Sequence, residues 1–271
     1  MPFACCSAAA QAQDMGESWD GPLKDRKLTV SANVALTNAK LQVVDSKVDV
    51  PADAPLEDME VTISDKLSVS TKIVSASVGY RVLPFLQVSA RAGLSFGSAA
   101  TGVTIKGTPT GALSDFVDGP IELVTDAEND VNGYSLGLGA NAFVPLARIG
   151  EDRVAGWASF QHLWNNLNGS EVVSRATRTS AGLAYAVDPS GGIPGVFRIG
   201  ASYNWLTRDV RRTKIVGDQE YEVRITQKYV NPWSVEAGVG LPVADRLVLG
   251  IGASQQIEGG LSGFLSLQWR P

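Results

Sequence analysis

The sequence predicts a closed antiparallel up-and-down β-barrel that crosses a membrane, with about ten strands and with eight or twelve as the neighbouring even counts. Three observations carry this. Apolar and polar residues alternate with period two along most of the chain from Leu28 onward. The polar face of that alternation is built from small residues. The aromatic residues of the apolar face gather at strand ends.

The alternation is clearest in five segments. Leu86, Val88, Ala90, Ala92, Leu94 and Phe96 oppose Gln87, Ser89, Arg91, Gly93 and Ser95. Tyr134, Leu136, Leu138, Ala140, Ala142 and Val144 oppose Ser135, Gly137, Gly139 and Asn141. The segments 197–205, 233–241 and 261–269 repeat the pattern with Ile199, Val235 and Leu265 on the apolar side. Weaker alternation marks 28–36, 74–82, 181–187 and 247–253, and the stretch 154–164 is ambiguous because both of its faces carry apolar residues. Each segment is near the about 9–11 residues that a tilted strand needs to cross a bilayer. No stretch approaches the roughly 20 apolar residues of a membrane helix, and membrane strands escape such a scan by alternating.

Alternation alone does not say which face is inside, because a lipocalin-like barrel or a sandwich also alternates. The polar face decides. It holds Gly, Ser, Asn and Gln with isolated Arg and Glu, where a water-facing exterior carries many Lys and Glu. Small residues suit a narrow, crowded lumen. The aromatic residues agree. Tyr80, Tyr185, Phe197 and Trp269 fall at one end of their strands, and Phe96, Tyr134, Trp164, Trp205 and Trp233 at the other. Two aromatic belts around an aliphatic band match a bilayer with two interfaces.

Connections fall into two groups. Short ones follow Leu83, Pro145, Asp188 and Pro242, and long ones span 39–66 and 97–133, with an extended hairpin at Val216-Gly217-Asp218. Short periplasmic turns and long outer loops give this asymmetry. The chain should divide into 1–12, the remnant of a signal peptide with Ala10-Gln11-Ala12 as its cleavage site; 13–27, a periplasmic segment; and 28–271, the barrel. Cys5 and Cys6 would leave with the leader, so no disulfide is expected.

From Leu28 to Pro271 the chain resembles the small bacterial outer-membrane β-barrel class. Such proteins end in a strand whose last residue is aromatic, a signal for the outer-membrane assembly machinery. Leu265, Leu267 and Trp269 match it, and Arg270 and Pro271 depart from it by following the aromatic residue. The resemblance implies a location in the bacterial outer membrane, with outer-membrane lipids and lipopolysaccharide as surroundings.

The inward face offers Arg81, Arg91, Arg178, Arg198, Glu236 and Arg270. Arg91 and Glu236 should lie at similar depth on opposite walls, with Arg178 near them. A charge in a narrow lumen needs a partner, so an Arg/Glu network that closes the barrel is expected. The lumen arginines would favour anions if the barrel instead conducted small solutes. Basic residues of the outer hairpin, Arg208, Arg211, Arg212 and Lys214 with Arg224 and Lys228, could contact lipopolysaccharide phosphates. The acidic run Asp53, Glu57, Asp58 and Glu60 reads as a solvated loop tip, with divalent-cation bridging as the second reading.

Catalysis is not expected. His162 is the single histidine, and its surroundings resemble the lipid A deacylase barrels, which place a His and a Ser two apart near the outer rim. Trp164 occupies that second position here, so the hydroxyl that a serine nucleophile requires is missing, and Ser159 and Ser170 are the only substitutes nearby. Outer-membrane proteases of similar strand number use acidic residues with a His above the rim, and the acidic run has no histidine near it in sequence. One His and two adjacent Cys supply no zinc set, so no metal or cofactor is expected. A net charge of −5 with no basic stripe argues against a nucleic-acid partner.

Overall fold

A computed structural model describes residues 28–49, 56–63, 66–109, 121–130, 132–167, 172–187, 195–216 and 219–271. The signal-peptide remnant, the segment 13–27, Asp53 and Ser170 lie outside the described residues.

Thirteen strands are described. They are β1 (Leu28–Asp49), β2 (Leu56–Ile63), β3 (Lys66–Leu83), β4 (Leu86–Pro109), β5 (Ile121–Asp130), β6 (Gly133–Ile149) and β7 (Asp152–Leu167). They continue with β8 (Val172–Val187), β9 (Gly195–Val216), β10 (Gln219–Tyr229), β11 (Trp233–Ala244), β12 (Leu247–Gln256) and β13 (Leu261–Trp269). Ten of them close a ring in the order β1-β3-β4-β6-β7-β8-β9-β11-β12-β13, every neighbour antiparallel. The closing seam pairs Val30 with Trp269 and Val34 with Leu265. Closure is what a bilayer demands, since hydrocarbon offers no partner to an open strand edge.

The alternation sets which way each wall faces. Leu138, Ile199 and Val235 point outward and are 57%, 59% and 53% exposed. Their in-sequence neighbours Gly137, Arg198, Ser234 and Glu236 are buried in the lumen. An aliphatic surface of this extent is unstable in water and at home in lipid.

The aromatic residues bracket that surface. All nine belt residues face outward. Tyr185 pairs with Phe197 at the inner end, and Trp164, Tyr134, Trp205 and Trp233 mark the outer end. Tyr80 pairs with Val88, and Phe96 lies eight residues further along β4. Eight residues span about 27 Å of strand at ~3.4 Å per residue. Tilted by about 40°, that is a band of roughly 20 Å, close to the ~25 Å apolar height of such barrels.

The hairpin after Val216 is present as expected, with β9 and β10 paired from Val216 and Gln219 onward. The two long connections are corrected by the structure: their described residues are strand, in β1, β2, β4 and β5. β1 and β3 run on past the belt as a paired ladder up to Gln42 and Lys66. β4 continues to Pro109 between β2 and β5. Along β1 burial still alternates as far as Leu41, but Thr37 on the inner face and Asn38 and Lys40 on the outer one hide it from a hydrophobicity criterion. β10 has a different place. β1 and β9 are 22 residues each, while β11, β12 and β13 are 12, 10 and 9. Above the short strands β10 fills the gap, pairing Gln227 with Arg208 of β9 and Lys228 with Gln42 of β1.

A charge placed on the lipid face tests this orientation. Leu138→Arg, in mid-wall, should cost about 2–4 kcal/mol of folding free energy in denaturant titrations into lipid vesicles. The same change at Val144, nearer the inner interface, should cost at most about 1 kcal/mol. Equal costs at the two depths would contradict the placement.

Candidate functional site: the lumen and the outer rim

The lumen is filled in three layers. At mid-depth lies a polar layer. Arg178 of β8 donates to Glu236 of β11, and both are almost fully buried. β9 runs between them, and Glu236 lies beside its Gly200, where no side chain obstructs the crossing. Serines continue the layer around the wall. Ser31 meets Ser77 (2.6 Å), Ser202 meets Ser234 (2.7 Å), and Asn204 Nδ2 donates to Ser234 Oγ (3.1 Å). Hydroxyls suit these positions because each can both donate and accept across a strand pair.

The inner layer is aromatic and aliphatic. Trp157 packs with Ala155, Ala184, Ala186 and Val196, and Phe143 leans on the group. The Arg198 guanidinium stands over both the Trp157 ring (5.2 Å to the centroid) and the Phe264 ring (5.8 Å). Arginine fits such a slot because its planar, weakly hydrated cation stacks on aromatic faces. Glycines make the room: a Cβ on Gly200 would strike Trp157, and one on Gly252 would overlap the Phe264 ring.

The outer layer is largely apolar, with Asn165, Ser174, Arg208 and Gln227 buried among its members. Ala39 and Leu41 of β1, Val69 and Ile73 of β3, Leu163 and Leu167 of β7, Val172 and Ala176 of β8, Leu206 and Val210 of β9, and Ile225 and Tyr229 of β10 form one buried cluster. β1 and β8 lie five places apart in the ten-strand ring, so the cluster draws on opposite walls. Between this cluster and the ion pair lies a small recess lined by Thr37, Arg178, Asn204, Tyr229 and Ser254.

The sequence-derived lumen residues fare differently. Arg178 and Glu236 are brought together. Arg91 is held on its own side, with Nε and Nη2 donating to Ser75 Oγ (3.0 and 2.7 Å). Arg198 joins the aromatic layer, Arg81 sits at the inner end of β3 beside Gln87, and Arg270 is buried next to the last belt tryptophan.

In the outer hairpin, Arg208 is corrected. It is only 5% exposed and faces the lumen, because residue parity along β9 puts it in phase with Arg198 and Asn204 rather than outside. Arg211 faces out, Arg224 chelates Glu222 (2.9 and 3.1 Å), and the side chains of Arg212 and Lys214 lie outside the described residues. The side chains of Glu57, Asp58 and Glu60 lie outside them as well.

His162 sits on the outward face of β7. Its Nδ1 is 2.7 Å from Thr177 Oγ1, and its ring meets Trp164 edge-on with centroids 4.3 Å apart. Ser159 faces the lumen and is bonded to Ser180. Sequence reasoning missed Trp157 and Phe264 as lumen fillers. The available signal was the glycines opposite them: Gly252 pairs with Phe264 across β12 and β13.

A closed ring with an aliphatic exterior between two aromatic belts defines a bacterial outer-membrane β-barrel protein. No protein-family model and no curated relative matches the chain. Solved structures of similar architecture include the outer membrane protein OprG of Pseudomonas aeruginosa, at 11% identity and a TM-score of 0.41 over 90% of this chain and 97% of that one. The toluene transporter TbuX of Ralstonia pickettii follows at 11% identity and 0.38, over 97% and 93%. The outer membrane protease OmpT of Escherichia coli stands at 11% and 0.37, over 94% and 100%. At these values the likeness goes no further than barrel architecture.

The buried pair gives a direct prediction. Glu236→Ala strands the Arg178 cation in the lumen and should cost about 3–5 kcal/mol. Arg178→Met added to it should restore most of that loss in the same vesicle titration. A Glu236→Ala cost below about 1 kcal/mol would show the pair to be solvated.

Proposed function

We propose that this chain is an occluded outer-membrane barrel with a structural or surface-binding role, its lumen closed to solutes. The observation that carries the reading is the buried outer cluster, with Leu41, Ile73, Leu167 and Val172 all below 3% exposure inside a ten-strand wall. Beneath it, the Arg178–Glu236 pair and the Arg198 stack between Trp157 and Phe264 occupy the remaining cross-section. Wide aqueous pores belong to barrels of about 16 or more strands. The strand extensions beyond the outer belt are then the surface left for binding.

A small-solute channel is the second reading, favoured by the polar middle layer and its recess beside Arg178. That recess has room for little more than a single water. For a lipid-modifying enzyme centred on His162, strand parity separates the imidazole on the lipid side from Ser159 in the lumen, and the hydroxyl that His162 meets is that of Thr177 (2.7 Å).

Planar-bilayer recording of the refolded protein should show no discrete current steps. Heat-modifiable gel migration of the same sample supplies the proof of folding. Reproducible unitary steps from folded protein would overturn the closed-lumen reading in favour of the channel.

A further inference from the structure

Five cations occupy one contiguous arc of the outward surface. Going round the outer rim they are Lys72 on β3, Lys40 on β1, Lys228 on β10, Arg211 on β9 and Arg175 on β8. All five are exposed, and none has a hydrogen-bond or ion-pair partner among the described residues. Lys72 is the register partner of Phe96, and Arg175 of Trp164, so these two stand at the level of the outer aromatic belt. Lys40 lies four residues beyond Leu36, and Leu36 also pairs with Lys72. Lys228 is opposite Gln42, and Arg211 is six residues beyond Trp205. Among the described side chains of this arc the acids are Asp45, Asp209 and Glu222. Asp45 and Asp209 both flank Thr226, whose hydroxyl donates to Asp209 (2.9 Å), and Glu222 is taken by Arg224. The rest of the described rim, on β6, β7, β11 and β13, presents Tyr134, Trp164, Trp233 and Leu261 instead.

We infer that this arc binds the phosphate groups of an anionic lipid headgroup in the outer leaflet. The reasoning is positional. Tryptophan rings fix where hydrocarbon ends and headgroups begin. Cations at that level and just beyond it face the phosphate layer, and without protein partners they keep their charge for it. Confinement to five neighbouring strands makes the contact one-sided, so the lipid is held on that wall. His162, bonded to Thr177 and set against Trp164, extends the arc's inner edge next to Arg175. The inference rests on the membrane orientation and is independent of whether the lumen conducts.

The outer-belt tryptophans supply the readout. Protein refolded in phosphatidylcholine vesicles is titrated with dibrominated phosphatidylglycerol or dibrominated phosphatidylcholine of the same chains, and tryptophan quenching gives the relative binding of the two. Preference for the anionic lipid should be severalfold, since each headgroup-level cation contributes roughly fivefold. In the Lys40→Gln, Lys72→Gln, Arg175→Gln, Arg211→Gln, Lys228→Gln variant, folded by the gel-migration criterion, it should fall to near unity. Equal quenching by the two lipids in the unaltered protein would overturn the inference, as would a preference that survives in the variant. Loss of the preference on adding about tenfold excess inorganic phosphate over brominated lipid would assign the arc to free phosphate and overturn the lipid source.

Discussion

The constraint on which everything else depends is that each strand stands between two media that cannot exchange roles. Hydrocarbon lies on one side and a lumen a few side chains wide on the other. Hydrocarbon cannot hydrogen-bond, so the ladder must return to its start, and β13 closes on β1 over eight register pairs from Val30 to Thr37. Once the ring is closed, a slip of one residue would carry every leucine inward and every serine outward. Residue parity is therefore shared around the wall. Ser31, Ser77, Ser159, Ser202 and Ser266 all fall inside, and Val34, Val78, Phe160, Ile199 and Leu265 all fall outside.

Crowding is the second consequence. In a ten-strand ring the inward side chains of facing walls compete for one small cross-section. The chain resolves this by setting a large residue against a missing one. Phe264 lies over Gly252, Trp157 over Gly200, and Leu163 over Gly137. The same economy governs charge. Arg178 and Glu236 neutralise each other where a lone charge would be intolerable, and Arg198 spends its cation on two aromatic faces.

This explains what was legible in the sequence. Wherever one face was greasy and the other small, as in 86–96 or 134–144, the strand, its orientation and its belt residue could be read directly. The inward orientation of Arg178 and Glu236 follows from parity, but their contact was not legible: strand order and approximate register set Arg91 opposite Glu236, and the structure pairs Arg178 with it. Other features were hidden for physical reasons. In β7 both faces are apolar, because Trp157, Leu163 and Leu167 fill the lumen while Phe160 and Trp164 meet lipid, so period two vanishes. Beyond the belt the outward face meets headgroups and water, polarity no longer separates the faces, and strands there resemble loops. Arg208 was read as external for the same reason, since nothing local marks it as lumen-facing.

The outer ring changes the cross-section of the barrel. A barrel narrows as its strand number falls. Past the ends of β11, β12 and β13 the wall exchanges three strands for one, and that one is β10. The exchange also changes what points inward. The three lost strands carried Ser234, Ser254 and Ser262 at their outer ends, whereas β10 brings Ile225, Gln227 and Tyr229. The ring thus tightens and becomes more apolar at the same level, with dispersion contacts among Leu41, Leu206 and Ile225 beside the buried Gln227 and Arg208. β10 can occupy that place only because it lies outside the hydrocarbon, where its link through Val230 to Pro232 can cross the sheet with its backbone groups met by Lys40 and Asn204. The buried outer cluster and the projecting hairpin are in this sense one structural feature: the strand that returns from the outside is the strand that packs into the inside.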